Sequence, residues 1–335
     1  MSLRFLDSFD HYTTLTQKWL SVSGVGTQIQ AGSLRTGIAG CRVVHNVGSA
    51  TGLTLTIDAQ GTWILGFAYR VGGFVSAGVV RTLDVGATQG ELRQNADGTL
   101  SLLRGAAVVA TSANALLANV FYYVEFKHVI DNAAGTLEVR VDGAVWATFA
   151  GDTQNTVNPT ANQLQWPAIA GTFEDIDDLY ICDGTGAAPN NNYWGNTQIE
   201  CIVPTGAGTY TEWTTLFGAP THWQAEDEIP PDEDTSYVES PTLNQRDTYA
   251  MGNLAVVSAT INGIQVLMRG RTTLAGVDNL ARLYRGGGVD YQGADVPLQT
   301  SYNYVREIME TDPNAGPGPW VVAAINAAEF GARVR

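Results

Sequence analysis

Residues 122–146, YYVEFKHVI-DNAA-GTLEVRVDGAVW, decide the fold. Two runs alternate apolar and polar side chains, the period of two that a strand with one buried face requires. A short Gly-containing turn separates them. The second run ends in Asp142-Gly143, a pair that accepts the left-handed backbone of a two-residue hairpin turn, and a third strand is expected over 144–149. Antiparallel ribbons are thereby expected, with no nucleotide-binding or helical enzyme core.

Working outward, the same punctuation recurs. Strands are expected at 54–57 and 62–69, parted by Gln60-Gly61, and at 91–94 and 99–103, flanking Asn95-Ala96-Asp97-Gly98. Further strands are read at 107–111 and 173–182, with a single helical turn at 114–119. Phe121, Tyr122, Phe126, Val139, Val141, Trp146 and Phe149 are the expected core of this part. Many short strands at regular spacing indicate a sandwich or jelly roll. The tract DGTGAAPNNNYWGN (183–196) breaks all periodicity. The reading is therefore all-β, with two β-sandwich domains: 1–185, a linker at 186–196, and 197–335. In the second, strands are expected at 197–203, 254–257, 261–269, 280–284, 302–310 and 330–334, with strand or helix at 320–326. A long Pro-containing loop, 218–241, interrupts them. Six acids in nine residues at 226–234 (EDEIPPDED) make it an extended, solvated loop.

The chain has 335 residues, and its formal charge of 18 − 33 = −15 argues against nucleic-acid or anionic-membrane partners, whose field would repel it. Cys41, Cys182 and Cys201 are odd in number and far apart, as expected of free thiols in a reducing compartment. The N-terminal MSLRFLDSFD lacks an apolar signal core, and no run approaches the ~18 apolar residues of a membrane helix.

Chemistry-bearing patterns are few. Asp175 and Asp177, two apart on a strand, share a face as paired glycosidase carboxylates must. However, the run Glu174-Asp175-Ile176-Asp177-Asp178 has the wrong spacing for the jelly-roll glycanase motif, and solvated acids at a strand entry are expected instead. His11, His45, His128 and His222 form no ligand pair, and the acids of 226–234 lack a calcium-loop spacing, so neither zinc nor calcium is expected. No nucleophile motif or phosphate loop is present, so no catalytic residue, metal or cofactor is assigned. Tyr193, Trp194, Trp213 and Trp223 cluster around the boundary. They are read as packing between the units, or as interface or glycan contacts.

The 122–149 segment resembles the central strands of concanavalin A-like (laminin-G-like) jelly rolls, and FLDSFDHY and FEDIDDLYICD resemble that family's first and last strands. The sequel, from GTGAAPNNNYWGNTQIECIVPTGAG through EIPPDEDTSYV to AAINAAEFG, resembles a group of tailed-phage virion proteins. The resemblance implies a non-enzymatic structural protein of a phage particle: capsid decoration, or a tail, baseplate or fibre component. It would be assembled in the host cytoplasm, form homo-oligomers and dock onto other virion proteins. The alternative is a tail module that binds host-surface glycans, and a third reading is a glycan-cleaving depolymerase.

Overall fold

The computed structural model describes residues 2–19, 21–22, 27–44, 52–274 and 278–335, and every count below is of these. His45, one of the four scattered histidines, lies outside them. The chain divides into two compact units, Met1–Ile199 and Glu200–Arg335.

The first unit is built from β1 (Leu3–Asp7), β2 (Ser21–Val22), β3 (Gln28–Gln30), β4 (Gly40–Val44), β5 (Leu53–Gln60), β6 (Thr62–Val71), β7 (Ala77–Asp84), β8 (Ala87–Gln94), β9 (Thr99–Arg104), β10 (Ala107–Ala115), β11 (Tyr122–Val129), β12 (Gly135–Val141), β13 (Ala144–Gly151), β14 (Ala161–Trp166) and β15 (Phe173–Cys182). One sheet runs β13-β12-β11-β6-β15-β4-β3, with β1 also on β15; the other runs β10-β9-β8-β7-β14-β5-β2. Every pairing is antiparallel, giving a β-sandwich of the jelly-roll type. The opening stretch forms the expected hairpins. Asp142 and Gly143 both take positive φ, 49° and 81°, as a two-residue turn matched to strand twist requires.

Inward residues from both sheets fill the interior. Phe67 of β6 meets Trp166 of β14 edge to face, and Phe126, Leu65 and Val139 line one rung of the first sheet with no solvent exposure. His128 crosses the interior: Nε2 donates to the Thr153 carbonyl and Nδ1 accepts from the Thr82 hydroxyl on the opposite sheet, at 2.8 Å. Gly90 is obligatory beneath it, since a Cβ there would sit 2.7 Å from the imidazole. Burial drives His128 down to about 4.

The second unit contains β16 (Pro204–Thr211), β17 (Thr215–Phe217), β18 (Tyr237–Glu239), β19 (Arg246–Met251), β20 (Ile264–Gly270), β21 (Asn279–Gly286), β22 (Val289–Pro297), β23 (Asn303–Met309), the short helix α1 (Val322–Asn326) and β24 (Glu329–Val334). Its main sheet runs β16-β19-β24-β21-β22, with β17-β18 and β20-β23 as two-stranded ribbons. Tyr284, Phe330, Trp320, Met309 and Ile325 form its core.

Several expectations change. Residues 114–119 form no helical turn, because β10 continues to Ala115 and a left-handed Asn119 then turns the chain. Neither 197–203 nor 254–257 is a strand. Phe126, Val139 and Val141 are buried, but Phe121, Tyr122, Trp146 and Phe149 are only half-buried, and Tyr123 and Val124 take their place. Arg70 lies over the Phe121 ring, so that aromatic covers an ion pair and not the core. Nor is 226–234 a free solvated loop: Glu233 is bound by Arg269, Asp234 by Arg271 and Tyr302, and Glu228 and Asp232 share the Ser236 hydroxyl.

Candidate functional site

The acids of β15 are structural. Glu174, Asp175, Asp177 and Asp178 are all fully buried, which overturns the solvated strand entry read from the sequence. Asp175 is held by Arg42 and Arg70 from the two neighbouring strands, at 2.7 and 2.6 Å. Asp177 accepts the backbone N–H of Arg35, Thr36 and Asp178. Asp178 takes the Arg35 guanidinium, the Thr36 hydroxyl and the Ile199 N–H. Burial, and for Asp177 repulsion from Asp178, push both carboxyls up. A buried carboxylate costs several kcal/mol unless paired, and these partners occupy the oxygens a reacting group would need. The Asp175/Asp177 pair is a clasp and has no open face for a substrate.

The aromatics divide between units. Trp194 stacks on Tyr180 at 4.3 Å, and Tyr193 lies under Arg140 and Lys127, so the expected linker packs onto the first sheet. Gly195 N–H and the Tyr180 hydroxyl both bond the buried Glu125 carboxylate. Trp213 and Trp223 belong to the second unit; Trp213 donates its indole N–H to the Gln245 carbonyl, and Trp223 opens a short 3₁₀ turn, Trp223–Ala225.

A polar surface lies on the outward face of the second sheet of the first unit. Register places Thr54 (β5), Gln165 (β14), Arg81 (β7) and Glu91 (β8) on one rung. The next residues along, Thr82 and Gly90, point inward to His128, so this rung points out. Glu91 is only 3 % exposed, yet it is flanked by two guanidiniums: Arg81 Nε at 2.7 Å on one oxygen and Arg93 Nε at 2.9 Å on the other. Those arginines remain 31 % and 30 % exposed. Arg81 Nη1 reaches Gln165 at 3.5 Å, and Gln163 on the adjoining rung bonds Thr56. Each guanidinium spends its Nε on Glu91, which fixes its plane; Arg81 gives Nη1 to Gln165, and the other Nη donors point along the same face. The triad carries a formal charge of +1 on a chain of −15. The triad presents two guanidiniums held in fixed planes beside two amides.

Sequence reading passed over this site. Its signal was polar alternation in GELRQ and NQLQW, where Glu91/Arg93 and Gln163/Gln165 sit two apart on strands whose intervening Leu92 and Leu164 are buried.

No family model and no curated protein matches the chain. Among solved structures it is similar to an endo-β-1,4-glucuronan lyase from the fungus Trichoderma reesei (10 % identity, TM-score 0.36, covering 54 % of this chain and 95 % of the other). It is likewise similar to the alginate lyase Aly36B (12 %, 0.38, 53 % and 95 %). A galectin-like protein of unknown function from Bacillus subtilis gives 11 %, 0.39, 55 % and 96 %. These similarities concern the fold. They nevertheless correct the expectation of a non-enzymatic phage-particle protein, and with it the tail glycan-binding alternative. Two of the structures named are polysaccharide lyases.

Proposed function

We propose that the first unit is a carbohydrate-active β-sandwich that processes an acidic polysaccharide on the outward face of β5, β14, β7 and β8. The Arg81–Glu91–Arg93 triad carries this reading. Paired guanidiniums prefer planar carboxylates, which they bind in bidentate fashion, and here Glu91 holds them in place before any ligand arrives. Gln163 and Gln165 add amide donors and acceptors suited to hydroxyls, and strands about 4.8 Å apart repeat these groups across the sheet. A uronate carboxyl on the triad would be neutralised. That lowers the cost of the negative charge that builds when elimination passes the neighbouring proton to a base and expels the glycosidic oxygen, which leaves with a proton as the new chain end.

The test is to incubate the purified protein with polyglucuronate, alginate and a neutral β-glucan. Chain cleavage is followed by the ultraviolet absorbance of unsaturated ends and by reducing sugar. Cleavage of a polyuronate and not of the neutral glucan is expected, with Arg81→Ala/Arg93→Ala at least tenfold slower. A folded protein that neither cleaves nor binds any polyuronate would overturn the proposal.

A further inference from the structure

The two sheets of the first unit finish differently on their two flanks. On one flank they end in β1, β2 and β3, of five, two and three residues, which offer another strand little to pair with. On the other they end in β10 and β13, nine and eight residues long, which lie side by side with Cα atoms within 8 Å of each other. Among the described residues β10 pairs only with β9 and β13 only with β12, so each turns a row of backbone N–H and C=O groups outward. Exposed edges ordinarily carry charged residues or Pro that turn other strands away. AVVATSANA and AVWATFAG contain neither, although the chain has 18 basic and 33 acidic residues and the strands next inward carry Arg104, Glu138 and Arg140. Val108 and Val145 are 56 % and 50 % exposed. The inner face is unfinished here as well. Phe149 pairs with Leu137, which is fully buried, yet Phe149 stays half-buried because no strand lies beyond it.

We infer that a second copy of this chain docks on the flank of β10 and β13, with β13 of each copy running antiparallel to the other across a two-fold axis. β13 is the pairing strand because its register with β12 is unbroken from Ala147 to Gly151. β10 is bulged twice, between Val108 and Ala110 and between Thr111 and Ala115, and packs alongside. Charge selects the occupant. Each copy carries −15, so two copies repel wherever their acids face one another, and a rim free of charge is where they close. A basic partner is drawn to the acids elsewhere and finds no carboxylate on these two strands. Two-fold pairing sets each neutral strand against itself and buries no charge unpaired. The nine and eight residues of the two strands approach the ~20–30 a side of a stable interface. The added strand also covers Phe149.

The experiment is sedimentation velocity of the full chain over a wide concentration range, with deuterium exchange read at both ends of it. A monomer–dimer equilibrium is expected, in which the N–H groups within 147–151 that face away from β12 exchange at least tenfold more slowly in the dimer. Thr148 and Ala150 are exposed, and the double variant Thr148→Lys/Ala150→Lys should raise the dimer dissociation constant at least tenfold. That variant moves the formal charge from −15 to −13, which by itself favours association, so a loss reads the edge and not the net charge. Val157→Lys, at an exposed site in the segment before β14, is the control and should leave the dimer intact. If the double variant fails to fold, exchange at 147–151 in the unaltered chain carries the comparison. A monomer at every concentration, a dimer indifferent to the double variant or weakened equally by Val157→Lys, or unchanged exchange at 147–151 would overturn the inference. An open series of larger oligomers would overturn it as well.

Discussion

Glu174 lies in the interior with one oxygen on the Tyr69 hydroxyl and the other unpartnered, and burial pushes it up to about 8 from an ordinary 4.5. A raised carboxyl supports folding only while protonated. Its contribution is complete below pH 4.5 and is lost as pH rises through 8. Glu174→Gln should therefore raise stability at pH 8 by on the order of 4 kcal/mol and change little at pH 4, read from thermal melts at both values. His128 has the opposite sign. It falls from 6.5 to about 4, so the folded state keeps its full benefit above 6.5 and loses it as pH drops toward 4. The loss amounts to on the order of 3 kcal/mol. A His128→Gln variant, weaker at neutral pH, should lack this part of the acid slope in urea titrations. Neither position was legible in advance. His128 sat on a strand that the alternation read correctly, but its partner Thr82 lies 46 residues away, and only the facing of two sheets joins them.

At the scale of elements, hairpins were readable because their causes are local. Asp142-Gly143 and the Asn95–Gly98 turn each fix two neighbouring strands within a few residues. The β15 acids were misread because their partners come from elsewhere: Arg42 on β4, Arg70 on β6, and Arg35 in the loop between β3 and β4. Asp175→Ala would strand two guanidiniums, and a loss of about 3–5 kcal/mol is expected in equilibrium unfolding. The segment after β15 belongs to the same structure. Arg35 bonds the Thr197 carbonyl, Ile199 N–H caps Asp178, and Trp194 covers Tyr180. A first unit ending at Ile199 should melt several degrees above one ending at Cys182, whose Glu125 and Asp178 would each lose a backbone donor. Equal melting temperatures would show this segment to be passive.

For the whole molecule, −15 formal charges oppose any polyanion approaching the Arg81–Arg93 face. Long-range repulsion is screened within about 8–10 Å at physiological salt, whereas contacts between a carboxylate and half-buried guanidiniums fade only at higher salt. Turnover of a polyuronate should accordingly rise from low salt to about 0.15 M and then fall. A monotonic decline would mean that the net charge is not felt at the site. This face escaped sequence reading because Arg81 and Gln165 are 84 residues apart, and β7 and β14 become neighbours only when the second sheet is complete.

The seating of β1 on β15 also has a consequence for how the protein is made. Leu6 pairs with Tyr180, so β1 leaves the ribosome 174 residues before its partner. At ordinary elongation rates of ~5–20 residues per second, that interval is about 9–35 s. During it, the strand that carries Leu3, Phe5 and Leu6, all buried in the finished sandwich, has no strand to pair with. The nascent chain is then most exposed to chaperones and to self-association, and slow translation near residue 180 would prolong that exposure.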